Sequence, residues 1–259
     1  MTEATTITIT INDRQVQVAP GTTVLAAAQK LGIEIPTLCH HEALSPEASC
    51  RVCIVEMSVE KQGKTYRWID ASCAYPVEDG LRVETDSPRV RRERKVILEF
   101  MLSRAPGADA LLRMAEKYGA RKDRFVALDK GESNCILCGR CVRVCTERAG
   151  GGAIGTSRRG VHKKVLSPCG LGRKLCFGCF ACSWICPTGA IKRTMGEETT
   201  AIENWGVDLT NRVCVECGTA FAPDALCEKV AAKVSLDPAV LNKCPECRRK
   251  ALRHIYQEQ

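Results

Sequence analysis

Hydrophobic and polar residues alternate strictly at the start of the chain. Thr6-Ile7-Thr8-Ile9-Thr10-Ile11 has a period of two, the pattern of a half-buried strand. Asn12-Asp13 is a turn signal and Gln15-Val16-Gln17-Val18 alternates again, so the two runs predict a hairpin. Pro20-Gly21 breaks the alternation. Residues 24–31 are Ala-rich and predict a helix closed by Gly32. Ile33 to Pro36 reads as extended and leads into a cysteine-bearing loop. Residues 53–59, 66–69 and 81–84 predict further strands. Two strands, a helix, more strands and a cysteine loop after the helix predict a small β-grasp module over residues 1–85.

The pattern then turns helical. Ser87-Pro88 is a helix start, with serine as N-cap and proline in the first turn. This helix runs through Val96, Ile97, Phe100 and Met101 and stops before Pro106. Its basic run, Arg89, Arg91, Arg92, Arg94 and Lys95, reads as a solvated face in preference to a contact surface. Residues 108–118, ending at Gly119, predict a second helix, so residues 86–129 form a helical linker. Residues 130–195 contain two similar cysteine runs, an internal repeat. Residues 205–259 carry a pair of Cys-x-x-Cys knuckles flanking a helical segment at 223–234, then a polar, helical tail from 248. The expected fold class is α+β.

Composition sharpens the picture at one point. Of 259 residues 45% are hydrophobic and 26% charged, both ordinary for a globular protein. Aromatics are only 5%, which argues against a large aromatic core. The anomaly is 18 cysteines in tight clusters. The first residues lack the basic and apolar regions of a secretion signal, and no run of about 18 apolar residues predicts a membrane span. A reducing, cytoplasmic setting is expected, where clustered thiols are explained by metal rather than disulfides. The net charge of +8 counts every cysteine as neutral. Four sites carrying roughly −2 each would offset it, so nucleic-acid affinity does not follow from the charge.

The strongest chemical signal is Cys135-x2-Cys138-x2-Cys141-x3-Cys145 followed by Cys176-x2-Cys179-x2-Cys182-x3-Cys186-Pro187. Spacers of two residues let a loop wrap three thiolates around one face of a cubane. The fourth cysteine ligates the other cluster in two-cluster ferredoxins. Cys135, Cys138, Cys141 and Cys186 are therefore assigned to one [4Fe–4S], and Cys145, Cys176, Cys179 and Cys182 to a second. Cys39-x10-Cys50-x2-Cys53-x19-Cys73 departs from plant-type spacing by its longer first loop, yet suits a [2Fe–2S] rhomb. With four cysteines at hand, His40 and His41 read as loop residues rather than Rieske ligands. Cys214-x2-Cys217 with Cys244-x2-Cys247 has the form of a four-thiolate zinc ribbon, with an iron–sulfur or mononuclear iron site as the alternative. Cys169 and Cys227 are left as spare thiols, although Cys227 lies inside the last module.

Gly32-Ile33-Glu34-Ile35-Pro36-Thr37-Leu38-Cys39-His40, Cys50-Arg51-Val52-Cys53-Ile54-Val55-Glu56 and the run from Cys135 to Cys145 carry a resemblance. Together with Cys186-Pro187-Thr188-Gly189-Ala190-Ile191 they are similar to the N-terminal iron–sulfur region of the complex I large subunit. The same region resembles the small diaphorase subunit of NAD-reducing hydrogenases and the N-terminus of many [FeFe]-hydrogenases. The match covers residues 6–192. It implies a [2Fe–2S] domain, a dicluster ferredoxin-like domain and a flavoprotein partner that binds NAD(P)H. One departure is clear: between Cys73 and Cys135 there is no cysteine, so the family's module with one histidine and three cysteine ligands is absent.

Gly150-Gly151-Gly152-Ala153-Ile154-Gly155 satisfies G-x-G-x-x-G literally, but it follows a cluster segment and lacks the acidic residue expected downstream. It reads as a connector. With no nucleotide fold, catalytic residue or substrate-activating metal in view, the expected role is a non-catalytic electron-transfer subunit of a hetero-oligomeric oxidoreductase. It would relay single electrons between the flavoprotein and a catalytic redox subunit, a hydrogenase, formate dehydrogenase or ferredoxin-type partner. The alternatives are the iron–sulfur subunit of succinate dehydrogenase or fumarate reductase and, from another class, a zinc-ribbon nucleic-acid-binding regulator.

Overall fold

The computed structural model describes residues 6–128, 134–235 and 237–257. The expected boundary between linker and dicluster region, at 129 and 130, lies outside the described residues, as do the first five and last two residues of the chain. The chain divides into two compact units. One comprises residues up to Arg140 with Pro187–Ala190, and the other Cys141–Cys186 with the chain from Ile191 onward.

The first unit is built on a five-stranded mixed sheet: β1 (Ile7–Ile11), β2 (Arg14–Val18), β3 (Ile54–Lys61), β4 (Lys64–Ala71) and β5 (Arg82–Glu84), in the order β2-β1-β5-β3-β4. The β1 and β5 pair is parallel and the other pairs are antiparallel. Asn12 and Asp13 both take positive φ, as a two-residue type I′ hairpin requires. Helix α1 (Val24–Lys30) starts at Thr23, whose hydroxyl accepts the Ala26 amide at 3.2 Å. It ends in a Schellman motif: Gly32 turns left-handed, its N–H donates to Gln29 and the Ile33 N–H to Ala28. Val24, Leu25, Ala27 and Ala28 face the sheet and pack on Ile9, Ile11, Val55, Met57 and Val83. The alternation at the start of the chain is thus the imprint of one apolar face.

Helix α2 (Pro88–Arg104) has the expected serine cap, with the Val90 amide donating to Ser87 Oγ at 3.2 Å. Helix α3 (Asp109–Tyr118) ends at left-handed Gly119. Leu98, Leu102, Leu111 and Ala115 of these helices pack with Leu38, Cys39, Cys50 and Val52 in one apolar cluster. Phe100 points outward and stacks on Phe125 with ring centroids 4.0 Å apart. One feature of α2 differs from expectation, the place of Arg94. Arg94, expected on a solvated face, is 1% exposed. Its guanidinium donates to the carbonyls of Val52 (2.9 Å), Ile54 (2.7 Å) and Thr85 (3.3 Å) and lies over the Tyr118 ring. Those bonds tie the backbone on either side of Cys53 to the end of β5.

The second unit contains short helical turns around its cysteines and a four-stranded antiparallel sheet. Strands β8 (Arg193–Met195), β9 (Thr199–Ile202), β10 (Val207–Val213) and β11 (Ala220–Pro223) lie in the order β11-β10-β9-β8. A two-stranded ribbon pairs β6 (Gly155–Ser157) with β7 (Lys164–Leu166). Helices α7 (Asp224–Val234) and α8 (Pro245–Gln257) complete the C-terminal part, with α4 (Arg140–Arg143), α5 (Leu171–Leu175) and α6 (Ala181–Trp184) as the short turns before them. The four-stranded sheet does not show in the sequence pattern. One inward position pair is polar: Thr200 and Asn211 are buried and hydrogen-bonded to each other at 2.7 Å. Gly178 binds the cysteine loop to this sheet, since a Cβ there would meet Pro223 at 2.6 Å and Leu209 at 2.7 Å.

Candidate metal centres

The first tetrad sits in the β-sheet unit. Cys39 and Cys50 lie on the loop between α1 and β3, Cys53 directly before β3, and Cys73 just after β4. All four are buried, at 1%, 5%, 1% and 1% exposure. Their thiols face one another: Cys39 meets Cys50 and Cys73, and Cys53 meets Cys73. Neighbouring thiols hold Cys39 well below the ordinary thiol range, and Cys73 brings Cys53 down to about 7. Cys50 and Cys73 are pushed up by the same neighbours and by burial. Four thiols that share protons in a dry site are a donor set for a cationic metal centre, because a metal replaces those protons. Arg51, between Cys50 and Cys53, has positive φ, which turns the Val52 amide onto Cys50. Arg94 then fixes the carbonyls of Val52 and Ile54 on either side of Cys53. Sequence reasoning missed that role because Arg94 stands in a run of basic residues. His41 Nδ1 accepts the Ala43 amide at 3.1 Å, a loop-closing bond.

The second tetrad lies in the other unit. Cys145, Cys176, Cys179 and Cys182 line one partly enclosed cavity, whose remaining wall is mostly apolar and includes Ala153, Ile154, Ile202 and Trp205. The Cys145 thiol acts electrostatically on Cys176, Cys179 and Cys182, although it is 31 residues or more away in sequence. Burial raises the last three, Cys182 to about 11. Amides oppose it: Gly178 donates to Cys176 and Ala181 to Cys179. Gly178 and Phe180 both adopt positive φ, producing the turned loop that aims those amides at sulfur. The glycine run has a place here as well. The Gly151 amide donates to the Cys145 carbonyl at 2.8 Å, and a Cβ on Gly151 would lie 3.3 Å from Cys145 Sγ. The run follows a helical turn and precedes a strand, the reverse of a nucleotide-binding order.

The remaining dicluster cysteines fall in both units. Cys135 and Cys138 belong to the first, Cys141 and Cys186 to the second. Cys138 is buried in the apolar cluster that contains Cys39 and Cys50, and Ser49 Oγ donates to its carbonyl at 3.4 Å. Left-handed Leu137 and Gly139 flank it.

In the C-terminal tetrad Cys214, Cys244 and Cys247 are buried and Cys217 is exposed. Cys214 and Cys217 form the tip of the β10–β11 hairpin, closed by the Gly218 amide on the Cys214 carbonyl. Cys244 precedes α8 and Cys247 lies in its first turn. The four sulfurs are all within 4.8 Å of one another, and Cys217 Sγ and Cys244 Sγ are 3.8 Å apart. Thiolates at about 2.3 Å from a tetrahedral ion are separated by about 3.8 Å, so the spacing fits. The Cys244 amide donates to Cys214 Sγ at 3.2 Å and brings that thiol down to about 6. Cys227 points elsewhere, into a small apolar cluster with Ala231 and Leu241, and Cys169 is exposed.

A sheet domain with a buried thiol tetrad defines the class. Residues 4–88 match the model of the 2Fe-2S iron-sulfur cluster binding domain. The wider chain is 32% identical to a subunit of the NADH-quinone oxidoreductase of Rhizobium meliloti, over 82% of its own length and 27% of the relative's. It is 35% identical to the NADP-reducing hydrogenase subunit HndD of Solidesulfovibrio fructosivorans, over 71% of this chain and 36% of that one. A chain in the crystal structure of an NAD+-reducing [NiFe]-hydrogenase in the H2-reduced state superposes with a TM-score of 0.53 at 31% identity, covering 62% of this chain and 75% of that chain. The chain belongs to the iron–sulfur family that NAD-reducing hydrogenases share with the NADH-quinone oxidoreductases. It spans about a quarter to a third of the length of these curated relatives. The kinship favours this family over the succinate dehydrogenase and nucleic-acid alternatives. No described helix is long and apolar enough to cross a membrane.

Proposed function

We propose that the chain is a non-catalytic electron-relay subunit of a hetero-oligomeric, cytoplasmic oxidoreductase. It would carry single electrons between an NAD(P)H-linked flavoprotein and a hydrogenase, formate dehydrogenase or ferredoxin-type partner. Bound iron–sulfur clusters would supply the one-electron chemistry. Cys39, Cys50, Cys53 and Cys73 would hold a [2Fe–2S]. Cys135, Cys138, Cys141 and Cys186 would hold one [4Fe–4S], and Cys145, Cys176, Cys179 and Cys182 the other. Cys214, Cys217, Cys244 and Cys247 would hold zinc as a structural ion, in keeping with their separation and with a closed set of four protein ligands.

The observation that carries the relay reading is the apolar cluster shared by Cys39, Cys50 and Cys138. It brings ligands assigned to two clusters into one dry, packed core. Relay through such a core needs no acid or base from the protein, only burial, amide donors and fixed geometry. The anaerobically purified holoprotein should contain about ten irons per chain and give three separate reducible signals by EPR. Iron near zero with several zincs would end this reading.

A further inference from the structure

Among the described residues lining the cavity of Cys145, Cys176, Cys179 and Cys182, Trp205 is the only one whose side chain carries an N–H or O–H donor. Its indole Nε1 is buried and closes no hydrogen bond of normal geometry. It lies in the cavity wall together with Cys182. Cys176 and Cys179 receive backbone amides from Gly178 and Ala181.

The turn that presents the indole is built for placement. Trp205 ends a short helical turn, Glu203–Trp205, between β9 and β10. Left-handed Gly206 closes the turn, its amide donating to the Glu203 carbonyl at 3.1 Å. Ile202 and Val207 pair across the strands on either side, and the Asn204 carboxamide accepts the Lys192 amide at 2.8 Å. A buried N–H without a partner is costly, so an indole fixed in a cavity lined by thiols calls for an acceptor stronger than a thiol. A thiolate bound to iron, carrying the charge of a cluster, is such an acceptor.

We propose that Trp205 sets the potential of the cluster held by Cys145, Cys176, Cys179 and Cys182, by donating its indole N–H to sulfur on the Cys182 side. The inference rests on the cluster reading above and deepens it. Reduction adds one electron to the site, no bond forms or breaks, and the indole keeps its proton. The reduced site is the more negative, so a donor stabilises it more than the oxidised one and raises the potential. The low-dielectric wall of the cavity strengthens that effect.

The test uses the anaerobic full-length holoprotein, titrated with dithionite and followed by EPR. Trp205→Phe keeps the ring and deletes the donor. The signal of this cluster alone should shift to more negative potential, with several-fold less reduced form at a fixed ambient potential. A tenfold change corresponds to about 59 mV for one electron. A second measurement needs no variant at that position. With indole-15N tryptophan in a Trp184→Phe background, ENDOR of the reduced protein should show 15N coupling to this cluster. An unchanged potential in an iron-replete Trp205→Phe protein overturns the proposal. If that variant does not load iron, the ENDOR result decides, and absence of 15N coupling overturns it. Absence of the cluster from the unmodified protein would instead overturn the cluster reading itself.

Discussion

The tetrad of Cys39, Cys50, Cys53 and Cys73 and the tetrad of Cys214, Cys217, Cys244 and Cys247 each bring four thiols together, on very different foundations. The first lies beside a sheet and a helix whose apolar faces pack on each other: Ile9, Ile11, Val24, Val55, Met57 and Leu81 are all buried there. The second has almost no core. Among the described residues, the only apolar side chain outside the thiols themselves that packs against Cys214, Cys244 and Cys247 is Phe221. Burial of apolar area supplies most folding free energy. The first site is therefore held by its fold, whereas the proposed ion of the second would hold its fold together.

The largest expected effect follows from that contrast. Binding of a structural four-thiolate ion is worth roughly 10–16 kcal/mol of apparent folding free energy in small modules. Removing the ion with a strong chelator, or replacing Cys214 and Cys244 together by serine, should unfold β10, β11, α7 and α8 as one block. Hydrogen exchange reads the outcome directly. Amides of the C-terminal block should lose protection while those of β1 to β5 and α1 to α3 keep theirs. Retained protection in the C-terminal block would mean that the contrast is false.

Within the sheet unit the most sensitive point is Arg94. Its guanidinium is buried, and it donates to three carbonyls around the Cys50–Cys53 loop. Arg94→Met keeps much of the volume but removes those bonds. Breaking a buried charged network costs about 3–5 kcal/mol. The loss should appear in denaturant unfolding of the sheet unit, together with a less stable [2Fe–2S] signal. A surface arginine would cost under about 0.5 kcal/mol, so a change that small would return Arg94 to the solvated face.

Arg94 also shows where the sequence stops being informative. The strands of the first unit are legible because their inward residues are apolar, as Ile7, Ile9 and Ile11 are. The caps of α2 and α3 are legible because Ser87 and Gly119 have few other reasons to stand where they do. Cysteine spacing announced the thiol groups, since little else explains repeated two-residue spacers. The rest is hidden by polarity in the wrong place. Arg94 looks like its neighbours Arg91 and Arg92, and only the fold turns it inward. Thr200 and Asn211 face inward and bond each other, so the strand that contains Thr200 has no apolar alternation to detect. Trp205 is one tryptophan in a polar stretch, and nothing in its sequence neighbourhood announces a cysteine cavity. The glycine run at 150–152 mimics a nucleotide motif, while its contact with Cys145 is visible only in three dimensions.

A smaller effect tests whether the cysteine loop of the second unit depends on its sheet, in the way the first tetrad depends on its own. Gly178 has a φ of +76°, and an added Cβ would meet Pro223 and Leu209. Gly178→Ala combines backbone strain with overpacking, at about 1–3 kcal/mol. It also disturbs the amide that faces Cys176. The expected outcome is lower thermal stability and a broadened EPR signal from the Cys145, Cys176, Cys179 and Cys182 site, with the [2Fe–2S] signal unaltered. A sharp, unshifted signal would show that this loop is held by its metal alone, as proposed for the C-terminal tetrad.

The smallest effect concerns Cys227, the thiol that stands closest in sequence to rivalling the C-terminal ligands. It lies on α7 and is buried with Ala231 and Leu241, against Phe221 and Ala222. Burial pushes its thiol up, whereas the amide of Cys244 brings Cys214 down. A thiol kept protonated in an apolar pocket behaves as a small hydrophobe. Cys227→Ala should then cost only about 1 kcal/mol and leave one ion per C-terminal module by elemental analysis. Cys217→Ala makes the sharper contrast: Cys217 is exposed, so its loss removes little packing, yet it should lower ion affinity and loosen β10, β11 and α8 together. If the two variants exchanged these outcomes, with Cys227→Ala shedding the ion and Cys217→Ala keeping it, the ligand set would have to be redrawn around α7. The C-terminal fold would then owe its cohesion to its helix rather than to its hairpin.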